Sequence, residues 1–109
     1  MKGYFTGKLM VRVTLNGCGL PLDDASVCIK GNKTPFYTLE NGFTEEINIF
    51  SASEKGIRHN VDILAECDGF VSLHCKNVPI RSGYLTVWNM PLTKVKKFEK
   101  TRKMHDKSK

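Results

Sequence analysis

Four cysteines (Cys18, Cys28, Cys67 and Cys75) and the histidines His59 and His74 are the side chains best suited to metal binding or nucleophilic chemistry. Their spacing argues against both. The cysteines are 10, 39 and 8 residues apart, no Cys-x-x-Cys occurs, and His74 is merely adjacent to Cys75. Zinc sites need ligand pairs at short, regular intervals. Reduced thiols acting as small apolar or half-exposed residues are the first expectation, disulfides the second and a metal site the third. Catalysis needs a base, a stabilising group and a pocket that converge, and the sequence offers no such set. The chain is therefore expected to be no enzyme and to carry no cofactor or metal.

Two features could instead make a binding surface. Tyr84 and Trp88 fall on one face of a predicted strand, and an exposed aromatic pair suits a carbohydrate or protein partner. Tyr4, Phe5, Phe36 and Tyr37 are near them only in sequence terms. The competing reading turns Trp88 into the core, because a slip of one residue swaps every side chain of a strand between faces. The second feature is residues 94–109, with eight basic side chains (Lys94, Lys96, Lys97, Lys100, Arg102, Lys103, Lys107 and Lys109) against Glu99 and Asp106. The whole chain has 17 basic and 11 acidic residues, so the remainder is neutral and the full +6 lies in this tail. Such a run, with Phe98 and Met104, attracts anionic polymers or serves as a solubilising extension. The body has no basic stripe or RNA-recognition aromatic motif, which argues against specific base readout. The candidate binding residues are thus Tyr84, Trp88, Lys94, Lys96, Lys97, Lys100, Arg102 and Lys103.

The elements that must position these residues follow a period of two. Leu9, Val11, Val13 and Leu15 alternate with Lys8, Met10, Arg12 and Thr14, which predicts a strand with one buried face. Asn16-Gly17, Gly19 and Pro21 form a turn. Ala25, Val27 and Ile29 then alternate with Ser26, Cys28 and Lys30. Phe36–Leu39 is a short strand stopped by Asn41-Gly42, and Phe43–Phe50 alternates again. Val61, Ile63, Ala65 and Cys67 form one face of the longest run. Asp68-Gly69 turns the chain into a strand with Val71, Leu73 and Cys75 on one face, and Val78-Pro79-Ile80 is a strand edge. Ser82-Gly83 leads to the last strand, Tyr84–Met90. Val95, Phe98 and Arg102 permit a short terminal helix, though a frayed extension is favoured. About seven short strands with frequent turns are the pattern of a β-sandwich.

At 109 residues the chain suits one domain with a modest core. No apolar stretch approaches the roughly 20 residues of a membrane span. Met1–Thr6 has no apolar segment of the kind a secretory signal needs. The expectation is a cytoplasmic protein, with surface or spore association as the alternative.

Gly7, Leu9, Val11 and Val13, then Pro21, Leu22, Ala25, Val27 and Ile29, then Asn41-Gly42, and finally Ala65, Gly69 and Phe70 form a pattern that resembles the carboxypeptidase-regulatory-like, transthyretin-like (prealbumin-like) β-sandwich domains. The likeness covers roughly residues 5–93. It implies an all-β, seven-stranded antiparallel Greek-key β-sandwich over residues 1–93, with residues 94–109 as a basic tail. It also implies a non-catalytic bacterial module: a structural or protein-interaction part of a surface, spore or phage-type assembly. The alternative is a carbohydrate- or anionic-polymer-binding module using exposed aromatics and the tail.

Partners are expected to be a protein or a polysaccharide, with the chain a monomer or a weak edge-paired dimer. The related hydroxyisourate hydrolases end in Tyr-Arg-Gly-Ser. Arg81-Ser82-Gly83-Tyr84 matches that only in composition and precedes the last strand. A Lys–Asn isopeptide bond of the collagen-adhesin kind would need Lys8, Asn89 and Glu66, but Lys8 and Glu66 fall on polar faces.

Overall fold

In the computed structural model, which describes residues 4–95, the first alternating run becomes β1 (Phe5–Leu15). Seven more strands follow: β2 (Ser26–Ile29), β3 (Phe36–Tyr37), β4 (Ile47–Ala52), β5 (Arg58–Glu66), β6 (Phe70–Val71), β7 (Leu73–Arg81) and β8 (Leu85–Lys94). The fold is all-β, and no helix occurs among the described residues. Two four-stranded sheets, β4-β1-β8-β6 and β3-β2-β5-β7, make a sandwich-like arrangement. Their inner faces meet through fully buried side chains. Leu9, Val11, Val13, Met90 and Leu92 come from the first sheet, and Val27, Ile63, Ala65, Val78 and Ile80 from the second. Each strand thus supplies every second residue to a shared core.

Two corrections to the expected seven antiparallel strands have physical causes. Among the described residues there are eight strands, because the run Phe70–Cys75 does not stay in one sheet. Phe70-Val71 pairs with β8, while Leu73 onward pairs with β5. The switch at Ser72 leaves Val71 exposed while Leu73 and Cys75 pack against the core. Second, the pairing is mixed: β1 and β8 run parallel, with Lys8–Leu15 against Leu85–Leu92. A strand buried on one face shows the same alternation whichever way its neighbour runs, so direction is invisible to periodicity.

The Val78-Pro79-Ile80 piece is continuous with the strand before it. Asn77 sits at φ 58° where the β5–β7 register shifts, and its N–H donates to Asp62 Oδ1 at 3.0 Å. Such a bulge restores the inward direction for Val78 and Ile80. β7 is an edge strand, so the N–H that Pro79 lacks disrupts no interior ladder. β8 continues through Lys94, and Val95 N–H donates to Gly69 C=O at 2.8 Å. Most of the expected tail, 96–109, lies outside the described residues.

Buried hydroxyls tie the connections to the sheets. Ala25 N–H donates to Thr38 Oγ1 at 2.8 Å, and the Thr38 hydroxyl donates to the Leu22 carbonyl at 2.7 Å. This clamps the Pro21–Ala25 turn onto the segment following β3. Thr44 Oγ1 accepts from Val11 N–H at 3.1 Å. Gly42 is required where it stands: its φ is +84°, and a Cβ there would lie 2.9 Å from both the Val13 carbonyl oxygen and Pro21 Cβ.

Thr38→Val should keep the fold and cost about 1–3 kcal/mol in urea unfolding, since it strands one buried donor and one acceptor. Thr38→Ser should recover most of that loss. Equal stability of the valine variant and the parent would refute the clamp.

Candidate functional site

One end of the sandwich is built around Ser82, which is fully buried. Its hydroxyl donates to the Glu54 carbonyl at 2.6 Å and accepts from Ile57 N–H at 2.9 Å. Its backbone also accepts from Gly56 N–H and donates to Ile57 C=O. Four bonds on one residue fix the loop joining β4 to β5. The next residue, Gly83 (φ +83°), leaves Lys55 Cγ 2.7 Å from where a Cβ would stand. Lys55 therefore lies across the turn, with its ammonium 5.0 Å from the Tyr84 ring centroid. Lys8 N–H donates to the Tyr84 carbonyl at 3.2 Å, which holds Tyr84 against β1.

Tyr84 lines an open groove of about 410 Å³ with Tyr4, Phe5 and Leu85, and the Lys8–Glu46 ion pair (3.4 Å) is part of its wall. The apolar surface continues along the outside of the first sheet. Register places Leu85 beside Lys8 and Val87 beside Met10. Tyr4, Tyr84, Leu85 and Val87 are 68%, 51%, 44% and 53% exposed. Large apolar side chains this exposed in one neighbourhood are the usual mark of an interaction surface.

Two further hollows flank the other parts of the sandwich. The larger, about 620 Å³, lies at the opposite end and carries Asp23, Asp24, Glu66 and Asp68 around Cys67. Burial pushes the Cys67 thiol up, and the charges of Asp68 and Asp24 add to that. No group of three or more His, Cys, Asp or Glu side chains among the described residues could hold a metal ion. The third hollow, on the outer face of the second sheet, contains Cys28 and His74. Cys28 pairs with Leu64, and Leu64 with His74. A whole strand therefore separates thiol from imidazole, and they form no nucleophile–base pair. All four cysteines are free thiols.

The structure separates the expected aromatic pair. Tyr84 is exposed at the groove, but Trp88 is half-buried and packs against the core on the inward face of β8, with Thr86, Met90 and Leu92. Leu85 and Val87, expected to oppose that face, are the outward residues. Ending the strand at Met90 hides the signal that decides this. Carried on past Met90, the even positions from 86 to 92 read Thr, Trp, Met, Leu and the odd positions from 85 to 93 Leu, Val, Asn, Pro, Thr, so the bulkier set goes inside, with Lys94 exposed at the strand end. Lys94 is exposed and pairs with Phe70, at the end opposite the groove. Lys96, Lys97, Lys100, Arg102 and Lys103 lie outside the described residues.

His59 packs its ring 5.2 Å from that of Phe50. The isopeptide trio does not assemble. Lys8 is paired with Glu46 on the first sheet, whereas Glu66 borders the acidic hollow of the second, its nearest hydrogen-bond partner Ser72 at 3.5 Å. No family model matches the chain, and no curated protein matches it significantly.

Two measurements check these placements. The emission of Trp88, the sole tryptophan, should be blue-shifted from that of the unfolded chain and severalfold less accessible to acrylamide. An emission like that of free tryptophan would return Trp88 to the exterior. Cys67 should alkylate more slowly than the exposed Cys18 at pH 8, accelerating as pH rises through its raised pKa. Asp68→Asn should speed it by about twofold to fivefold by removing a neighbouring negative charge.

Proposed function

We propose that this chain is a non-catalytic protein-interaction module, a structural part of a larger assembly of the bacterial surface, spore or phage type. Its fold is best read as a variant of the transthyretin-like sandwich. The observation that carries the proposal is the continuous exposed apolar surface of Tyr4, Tyr84, Leu85 and Val87, flanked by the Lys8–Glu46 pair. An aromatic and aliphatic centre with a charged rim is the composition that protein interfaces favour. The separation of Cys28 from His74 supports the non-catalytic reading.

A second reading, carbohydrate or polymer binding, draws on one feature of the same groove. The Tyr84 ring stands beside Lys55, and the Lys8–Glu46 pair shares its groove, which combines a stacking face with hydrogen-bonding groups. Trp88 has no part in either reading.

The test is a triple variant, Tyr84→Ser, Leu85→Thr and Val87→Thr, which keeps strand-compatible residues on the outer face. Its stability should stay within about 1.5 kcal/mol of the parent, since all three sites are exposed. Cross-linking in extracts of the source cells should capture a protein with the parent chain and lose it with the variant. Binding to glycans alone, lost in the variant, would favour the second reading. Partners retained equally by both chains would remove this face from consideration.

A further inference from the structure

On the outer face of the second sheet, Arg58 of β5 stands directly opposite Arg81 of β7. Both are exposed. Residues opposed in an antiparallel pair have Cα atoms about 4.5–5.5 Å apart, and like charges in that position repel. Among the described residues the ion pairs are Lys8–Glu46 and Lys30–Asp62, so neither guanidinium has a carboxylate to offset it. Arg81 Nη1 makes one long bond, 3.5 Å to the Gly56 carbonyl, and Arg58 makes no side-chain hydrogen bond among these residues. Two donor forks therefore spring from opposed positions and are almost unused.

The support beneath them is stiff. Arg81 is joined to Ser82, whose four hydrogen bonds hold Glu54, Gly56 and Ile57 next to Arg58. The backbone is therefore fixed before a ligand arrives, and ordering on binding is confined to the two arginine side chains. One guanidinium can satisfy both oxygens of a carboxylate, which leaves the second arginine idle. A tetrahedral group has enough oxygens to engage both forks and carries the charge that relieves their repulsion.

We propose that Arg58 and Arg81 form an oxyanion site that binds a phosphate or sulfate group between the two guanidiniums. The site is separate from the aromatic groove and does not depend on what fills it. The group is either a free ion or a unit of a polymer.

The test follows the arginine Nε–H resonances of the full chain by NMR while inorganic phosphate is added at constant ionic strength, with acetate and chloride as controls. Arg58 and Arg81 should shift together and saturably in phosphate and sulfate, and scarcely in acetate. Arg58→Gln or Arg81→Gln should weaken binding about tenfold, and Arg58→Lys, which keeps the charge but not the fork, less than that. In phosphate-free buffer Arg58→Gln should raise Tm by about 1–4 °C through relief of the like-charge pair, and phosphate should no longer raise it further. A short linear polyphosphate arm separates the sources. Tighter binding at Arg58 and Arg81 than inorganic phosphate gives, per phosphate unit, assigns a polymer-borne group, and equal binding a free ion. Shifts confined to Arg102 would place phosphate on the tail and overturn the proposal. So would identical responses to acetate and phosphate, or a fall in Tm for Arg58→Gln with and without phosphate.

Discussion

The parallel ladder between β1 and β8 is the constraint on which the other features depend. It joins the first described strand to the last, over eight consecutive residue pairs, and its register assigns both faces at once. Leu9, Val11 and Val13 point inward opposite Thr86, Trp88 and Met90, while Lys8, Met10 and Arg12 point outward opposite Leu85, Val87 and Asn89. A slip of one residue would expose Trp88 and Met90 and bury Leu85 and Asn89, so the core holds the register against slippage. β4 and β6 then add to the two sides of this pair. Because a parallel pair cannot be closed by a tight turn, the chain between β1 and β8 goes on to build the second sheet, and each sheet covers the other.

Much of this was legible in the residues. The alternation of β1, β2 and β5 identified their buried faces, because Leu9, Val27 and Ile63 recur with apolar residues at every second position while their neighbours are mostly polar or small, Met10 and Leu64 excepted. The turns at Asn41-Gly42 and Asp68-Gly69 were legible because positive φ restricts the residue type. Strand direction, the sheet switch at Ser72 and the bulge at Asn77 were not, since each is decided by partners distant in sequence. Tyr84 was legible as an exposed aromatic. Its companions Leu85 and Val87 were not, because an apolar residue on an outer face looks locally like a core residue. The Arg58–Arg81 juxtaposition depends on cross-strand register, which no reading of either segment alone supplies.

The two ends of the sandwich differ in charge for reasons of connection. At one end, the Ser82 hydrogen bonds draw the β4–β5 loop against the β7–β8 turn, gathering Lys55, Arg58 and Arg81 against the single acid Glu54 of that loop. At the other, the turn before β2 meets the end of β5, gathering Asp23, Asp24, Glu66 and Asp68. A chain whose body is neutral in total is therefore polar along its strands. An average charge conceals that, and association with charged partners would be oriented by it.

The two outer faces differ as well, and the contrast bears on where binding energy resides. The second sheet turns outward Ser26, Cys28, Asp62, Glu66, His74 and Lys76, with Leu64 and, on its β3 edge, the exposed Tyr37 as the large apolar residues among them. That is the polar exterior expected of a half-buried antiparallel sheet. The first sheet turns outward Met10, Leu85 and Val87 between Lys8 and Arg12, and Arg12 lies 5.4 Å from the Phe43 ring centroid. Folding does not require Leu85 or Val87 to be apolar, because their side chains contribute nothing to the core, and polar β-formers such as threonine fit those positions equally well. Burying a leucine or valine side chain fully is worth about 1.5–3 kcal/mol. The fold leaves much of that unused at each of these two sites, so it is available to a partner that covers this face, whereas the second sheet offers mainly charge.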